Sequence, residues 1–160
     1  MALQKVINTT LAAGVEGGLY DDSPRRAESK RLHANSGVAA ALGLAFTQGA
    51  TEDDVTVGGE GVFAGIALND GTVALHGGLT ATLEVIDGTV ASVARFAHVW
   101  VKSETQVAIG NVAAYAKATG KISAYATASA IPGETHVEIP HATFRSSGAA
   151  GELVKLELGD

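Results

Sequence analysis

"TATLEVIDGTVASVARFAHVWVK", residues 80–102, decides the fold class. Two β-rich runs, 80–86 and 89–96, flank Asp87-Gly88. An Asp-Gly pair between such runs predicts a tight hairpin, because a type I′ turn needs positive φ at both central positions. The end of the stretch alternates. Ala97, Val99 and Val101 fall on one side; Phe96, His98, Trp100 and Lys102 fall on the other. A period of two is that of a strand, not of a helix.

The same signal spreads outward. "VFAGIAL" (62–68) is a short apolar run closed by Asn69-Asp70-Gly71. "NVAAYAK" and "KISAYA" are joined through Ala118-Thr119-Gly120, a second predicted hairpin. In "LVKLELG", Val154, Leu156 and Leu158 share a face opposite Lys155 and Glu157. "SGVAAALGLAF" (36–46) is ambiguous, since its alanines favour helix. Gly37, Gly43 and the lack of a 3.6-residue stripe favour a buried strand there. Many short strands separated by turn signals predict an all-β sandwich or barrel.

Residues 1–35 read differently. Gly14, Gly17, Gly18 and Pro24 break any long element, which predicts an extended N-terminal arm ahead of a single β domain over 36–160. The arm holds "GLYDDSPRRAESKRL" (18–32), the densest charge in the chain. Leu19 and Tyr20 offer an apolar anchor beside Asp21, Asp22, Arg25, Arg26 and Arg31. Arginine makes bidentate pairs with carboxylates, and alternating charge gives a contact its register. These seven residues are the candidate protein interface, expected to become ordered against a partner.

Composition bounds the rest. The 160 residues carry a net charge of −6, which argues against nucleic acid as the main partner. With no cysteine, disulfides and thiol catalysis are absent. No apolar run reaches membrane-spanning length, and the N-terminus lacks the apolar core of a signal peptide. The five histidines, His33, His76, His98, His136 and His141, are scattered. His136 and His141, five apart along a strand interrupted by Pro140, should face opposite ways. Gly59-x-Gly61-x-x-Ala64 imitates a dinucleotide fingerprint but opens a strand-like run instead of a helix. Lys117, near a hairpin tip, lacks the Asp or Met neighbours of lipoyl and biotinyl lysines. The residues thus predict no catalytic centre, no metal site, no cofactor and no small-molecule substrate.

The order of segments resembles the structural cement, or capsid decoration, proteins of tailed bacteriophages. The resemblance rests on "GLYDDSPRRA", "LGLAFT", "GEGVFAGIALN", "LTATLEV", "VWVKSETQVAIGNVAAYAKATGKISA" and "IPHATFRSSGAAGELVKLEL", in that order. "NDGTVALHGG" (69–78) departs from it, being shorter and plainer than the family's loop. The resemblance implies a jelly-roll-like or barrel-like domain. It also implies a place on the outer capsid surface of a virion assembled in a bacterial cytoplasm. The implied partners are the phage major capsid protein, in a shell of the HK97 type, and further copies of the chain as homodimer or homotrimer. The rival reading is another virion part, such as a tail or receptor-binding β module.

Overall fold

A computed structural model describes residues 14–71, 73 and 82–159. It contains β1 (Arg26–His33), β2 (Ala45–Gln48), β3 (Asp54–Val57), β4 (Phe63–Ala67), β5 (Thr89–Lys102), β6 (Val112–Ala116), β7 (Ile122–Tyr125), β8 (His136–Phe144) and β9 (Leu153–Leu158). Beyond these strands the described helical structure is one short 3-10 turn, Ala128–Ala130. The fold is all-β, as the alternation predicts.

Strand order is β1-β3-β2-β4-β5-β9-β8-β6-β7, and β1 also pairs with β5. The first five strands therefore close on themselves. β5 then carries the chain into a second sheet with β9, β8, β6 and β7. There the parallel bridge Ser103–Ile122 draws β7 back beside the end of β5. The result is barrel-like at both ends of one shared strand. Each end has its own core. Leu32, Phe46, Val55, Val57 and Val93 fill the first. Val99, Tyr115, Phe144, Leu156 and Leu158 are among those that fill the second.

β2 and β4 explain the continuous apolar runs. Phe46 and Ala67 point into the first core, whereas their neighbours Ala45 and Ile66 point into the second. A strand buried on both faces reads as an unbroken apolar run. Backbone locks the two halves together. Gly59 N–H donates to the Lys117 carbonyl (2.7 Å), and Ala45 N–H donates to the Gly120 carbonyl (2.9 Å). Gly120 has φ +70°, and a Cβ there would lie 2.6 Å from the Ala45 carbonyl oxygen.

Several expectations change. Asp87-Gly88 does form a turn, with Thr89 N–H donating to the Ile86 carbonyl (3.0 Å). However, β5 does not fold back on the run before it. Its partner is β1, in register from Leu32–Thr89 to Arg26–Phe96. The described part of the preceding run bridges Ala41 through Glu84. Strand also begins at Ala45, not Ser36, because Gly43 (φ +84°) turns the chain and hydrogen-bonds the Ala67 carbonyl. Residues 26–33, read as part of the arm, are strand β1, paired with β5 over Arg26–Leu32 and with β3 over Arg31–His33, and anchored by buried Leu32. β8 runs through Pro140 by means of an irregularity that leaves His141 at φ +54°. The hairpin of β6 and β7, the alternation of β9, and that of residues 96–102 are as expected.

His33 closes the end of the first barrel. Its Nε2 lies 3.3 Å from Asp54 Oδ1 and its Nδ1 lies 3.3 Å from Asp87 Oδ2. Partial burial pushes this imidazole down, but Asp87 and Asp54 together hold it above its ordinary value near 6.5. Asp54 is lowered by the Thr51 hydroxyl, and Asp87 by the Ala34 N–H. A base raised on folding stabilises fully below its unfolded pKa, and that contribution is lost as pH rises through the folded value. The lowered carboxylates contribute above the ordinary aspartate value near 3.8 and lose that contribution as pH falls through their folded values.

Thermal unfolding of His33→Asn should therefore lack a decline that the native protein shows as pH rises above about 6.5; matching profiles would disprove the clasp. For the lock between halves, Gly120→Ala should cost at least ~2 kcal/mol through strained φ and backbone collision. Gly110→Ala, at φ +89° with open space around it, should cost only ~1 kcal/mol. Equal losses at the two sites would mean that the lock contributes nothing.

Candidate protein–protein interface

The charged stretch enters the fold through β5. Gly17 N–H donates to the Trp100 carbonyl (2.8 Å), Trp100 N–H to the Gly18 carbonyl (2.8 Å), and Tyr20 N–H to the His98 carbonyl (3.1 Å). Leu19 bridges Val99 and packs on the second core. Gly14 lies flat on the Trp100 indole, where a Cβ would sit 2.3 Å from a ring carbon. Residues 14–20 thus cover the outer face of β5, and their glycines allow the close approach.

Tyr20 is the centre of this cover. Its ring stacks on His98 at 5.2 Å between centroids and meets Trp100 edge-on at 6.0 Å. Lys155 Nζ stands 5.3 Å from the Tyr20 ring centre and 5.5 Å from that of Trp100. Burial, and then Glu157, push the Tyr20 hydroxyl above its usual range. Glu157 itself is held down chiefly by Arg145, whose Nε it accepts from. Tyr20, expected at a partner interface, is therefore half-buried within its own chain.

The other six candidates divide. Leu19 is spent on the core. Asp21 accepts from the Ser23 N–H (2.7 Å) and from its hydroxyl, which together lower its pKa. Arg31 Nε donates to Asp54 Oδ1 (2.8 Å). Asp22, Arg25 and Arg26 are exposed. Arg25 and Arg26 line a shallow depression with Ala27, Glu28 and Arg95. The sequence reading missed Arg95, His98, Trp100 and Lys155 as neighbours of this stretch. All four reach it only through strand pairing, across dozens of residues. Pairing of Arg26 with Phe96 is what sets Arg95 beside the arginines.

Elsewhere, Lys117 Nζ is paired with Glu60 Oε1 (2.9 Å). The glycine pattern at 59–64 leads into β4. Among the described residues no group of three or more His, Asp or Glu is arranged to hold a metal. His76 and most of the loop 69–78 lie outside the described residues.

Tyr20→Ala should lower stability by about 1–2 kcal/mol, because it removes a stacked aromatic and a cation–π partner. Tyr20→Phe should keep most of it. Urea unfolding followed by the fluorescence of Trp100, the lone tryptophan, reads both. An unchanged midpoint for Tyr20→Ala would show that the cover contributes nothing to the fold.

No curated protein matches the sequence. A solved structure described as the capsid of Myoviridae phage XM1 contains a similar chain, with TM-score 0.66 and 15% identity. That likeness covers 100% of this chain and 99% of that one, and it bears on fold alone. The head fibre gp8.5 N base of bacteriophage phi29 aligns at TM-score 0.40 and 17% identity, over 85% of this chain and 95% of that one, too distant to bear on the argument. The sequence model of the structural cement proteins (E217 gp24/Pam3 gp6) matches residues 3–159. With a match of that extent, the chain belongs to the phage structural cement protein family.

Proposed function

We propose that the protein sits on the outside of an HK97-type phage shell and clamps adjacent major capsid protein subunits against the pressure of packaged DNA. The observation that carries this reading is the family match across residues 3–159. The fold supports it. The strand order closes the first sheet through β1 and β5, and the Ser103–Ile122 bridge draws β7 toward β5 in the second, which shortens the sheet edges open to stray pairing. A body closed in this way transmits load as one piece. Its net charge of −6 suits contact with protein better than contact with DNA.

The mechanism is multivalency. A clamp binding across a contact between capsomers must detach before that contact opens. Two footholds per oligomer raise effective affinity by roughly 10² to 10⁴ with no new kind of contact. That favours a homodimer or homotrimer on a symmetry axis. Within the candidate stretch, Leu19, Tyr20, Asp21 and Arg31 shape the segment, while Asp22, Arg25 and Arg26 present charge to a neighbouring subunit. The role requires no chemistry at these side chains.

Fluorescently labelled protein added to its phage particles, stripped of cement, should coat the whole shell. It should also raise the temperature at which DNA escapes. Label confined to one vertex would indicate a tail part, and an unchanged escape temperature would remove the clamp.

A further inference from the structure

β7 stands last in its sheet, with β6 paired along one side. From Ile122 to Ile131 the chain carries no charge, no proline and no glycine. An edge strand is ordinarily guarded by a charge, a proline or a bulge, because its outer N–H and carbonyl groups are a template for another strand. β7 has none of these guards. Its register against β6 is unbroken from Val112–Tyr125 to Tyr115–Ile122.

Along its outer side runs a strap, Ser103–Thr105. Glu104 N–H donates to the Ile122 carbonyl (2.8 Å). Ala124, two residues on, is met by a side chain instead. Its N–H donates to Thr105 Oγ1 (2.8 Å), and the same hydroxyl donates to its carbonyl (3.1 Å). A hydroxyl both donates and accepts. One threonine therefore fills both backbone positions that a neighbouring strand would use at Ala124.

The strap is also held from behind. Ser103 is fully buried. Its hydroxyl donates to the Thr105 carbonyl (2.8 Å) and accepts from the Thr105 N–H (3.3 Å), which fixes Thr105 in place. The Ser103 carbonyl accepts from Gly151 N–H (2.7 Å), and its N–H donates to the Glu152 carbonyl (3.3 Å). Lys121 Nζ, just before β7, lies 3.4 Å from Glu104 Oε1. Without the Thr105 hydroxyl the Ala124 N–H and carbonyl would lose the partners that the strap gives them. We propose that Thr105 is an edge guard, whose hydroxyl keeps β7 from taking up an extended strand of another molecule. The strand it excludes most directly is β7 of a second copy, whose edge is equally uncharged. Such pairing is distinct from the assembly proposed above, and the guard is needed with or without a capsid.

Thr105→Val keeps the shape of the side chain and removes its hydroxyl, whereas Thr105→Ser keeps the hydroxyl. In the native full-length chain the Ala124 amide should be protected from hydrogen exchange. Thr105→Val should speed that exchange at least roughly tenfold, and Thr105→Ser should not. Light scattering then reads growth beyond the native assembly, with each variant held equally far below its own melting temperature. Thr105→Val should grow faster than Leu42→Ala, which weakens the first core and leaves the edge of β7 alone. Ala126→Lys sets a charge at the exposed end of the same edge, and in the Thr105→Val chain it should suppress the growth. A native Ala124 amide as labile as an open loop would overturn the proposal. So would exchange that Thr105→Val leaves unchanged or that Thr105→Ser raises equally, growth no faster than that of Leu42→Ala, or growth that Ala126→Lys does not slow.

Discussion

β5 is the constraint on which the rest depends. It is 14 residues long, more than either sheet needs. Its first half is paired by β1 and β4 and its second half by β9. Both cores draw residues from it: Val93 enters one, Val99 and Val101 the other. Two small closed sheets, each with little apolar area of its own, become one body because neither can unfold without exposing part of the other. The small residues make this possible, since Ala94, Ala97 and the glycines at 58, 59 and 120 permit the close approach.

The N-terminal segment is organised by the same strand. Residues 17–20 bond to the edge of β5 that β9 leaves open, and residues 26–33 bond to its first half. Between them Asp21 to Arg25 bulge outward. Ordering a breaker-rich segment costs about 1–2 kcal/mol per residue in backbone entropy. Backbone hydrogen bonds to β5 and the stacking of Tyr20 offset that cost inside the chain. Tyr20 thus has ordering contacts within its own chain.

Charge is sorted on the surface by strand register. Arg26 opposite Phe96 places Arg95 with the arginines, and Arg31 opposite Asp54 places an arginine among the acids. Contacts between charges arranged this way would specify orientation more than add affinity.

The class of fold was legible in residues 80–102, because a period of two in apolar residues reports burial directly. β9 and the β6–β7 hairpin were legible for the same local reason, and so was the strand-like run that follows Gly61. The partner of β5 was not. Asp87-Gly88 requires a turn but says nothing of what lies beside the strand after it, and β1 wins that place from more than fifty residues away. Nor could composition distinguish β1 from an arm. Its apolar content is chiefly Leu32, and its strand character comes from backbone pairing, with β5 along most of its length and with β3 at Arg31–His33, which any side chain permits. Periodicity is written where a side chain meets water on one face and core on the other. Pairing, register and the neighbours of Tyr20 depend on backbone bonds between distant segments, so only the closed tertiary structure decides them.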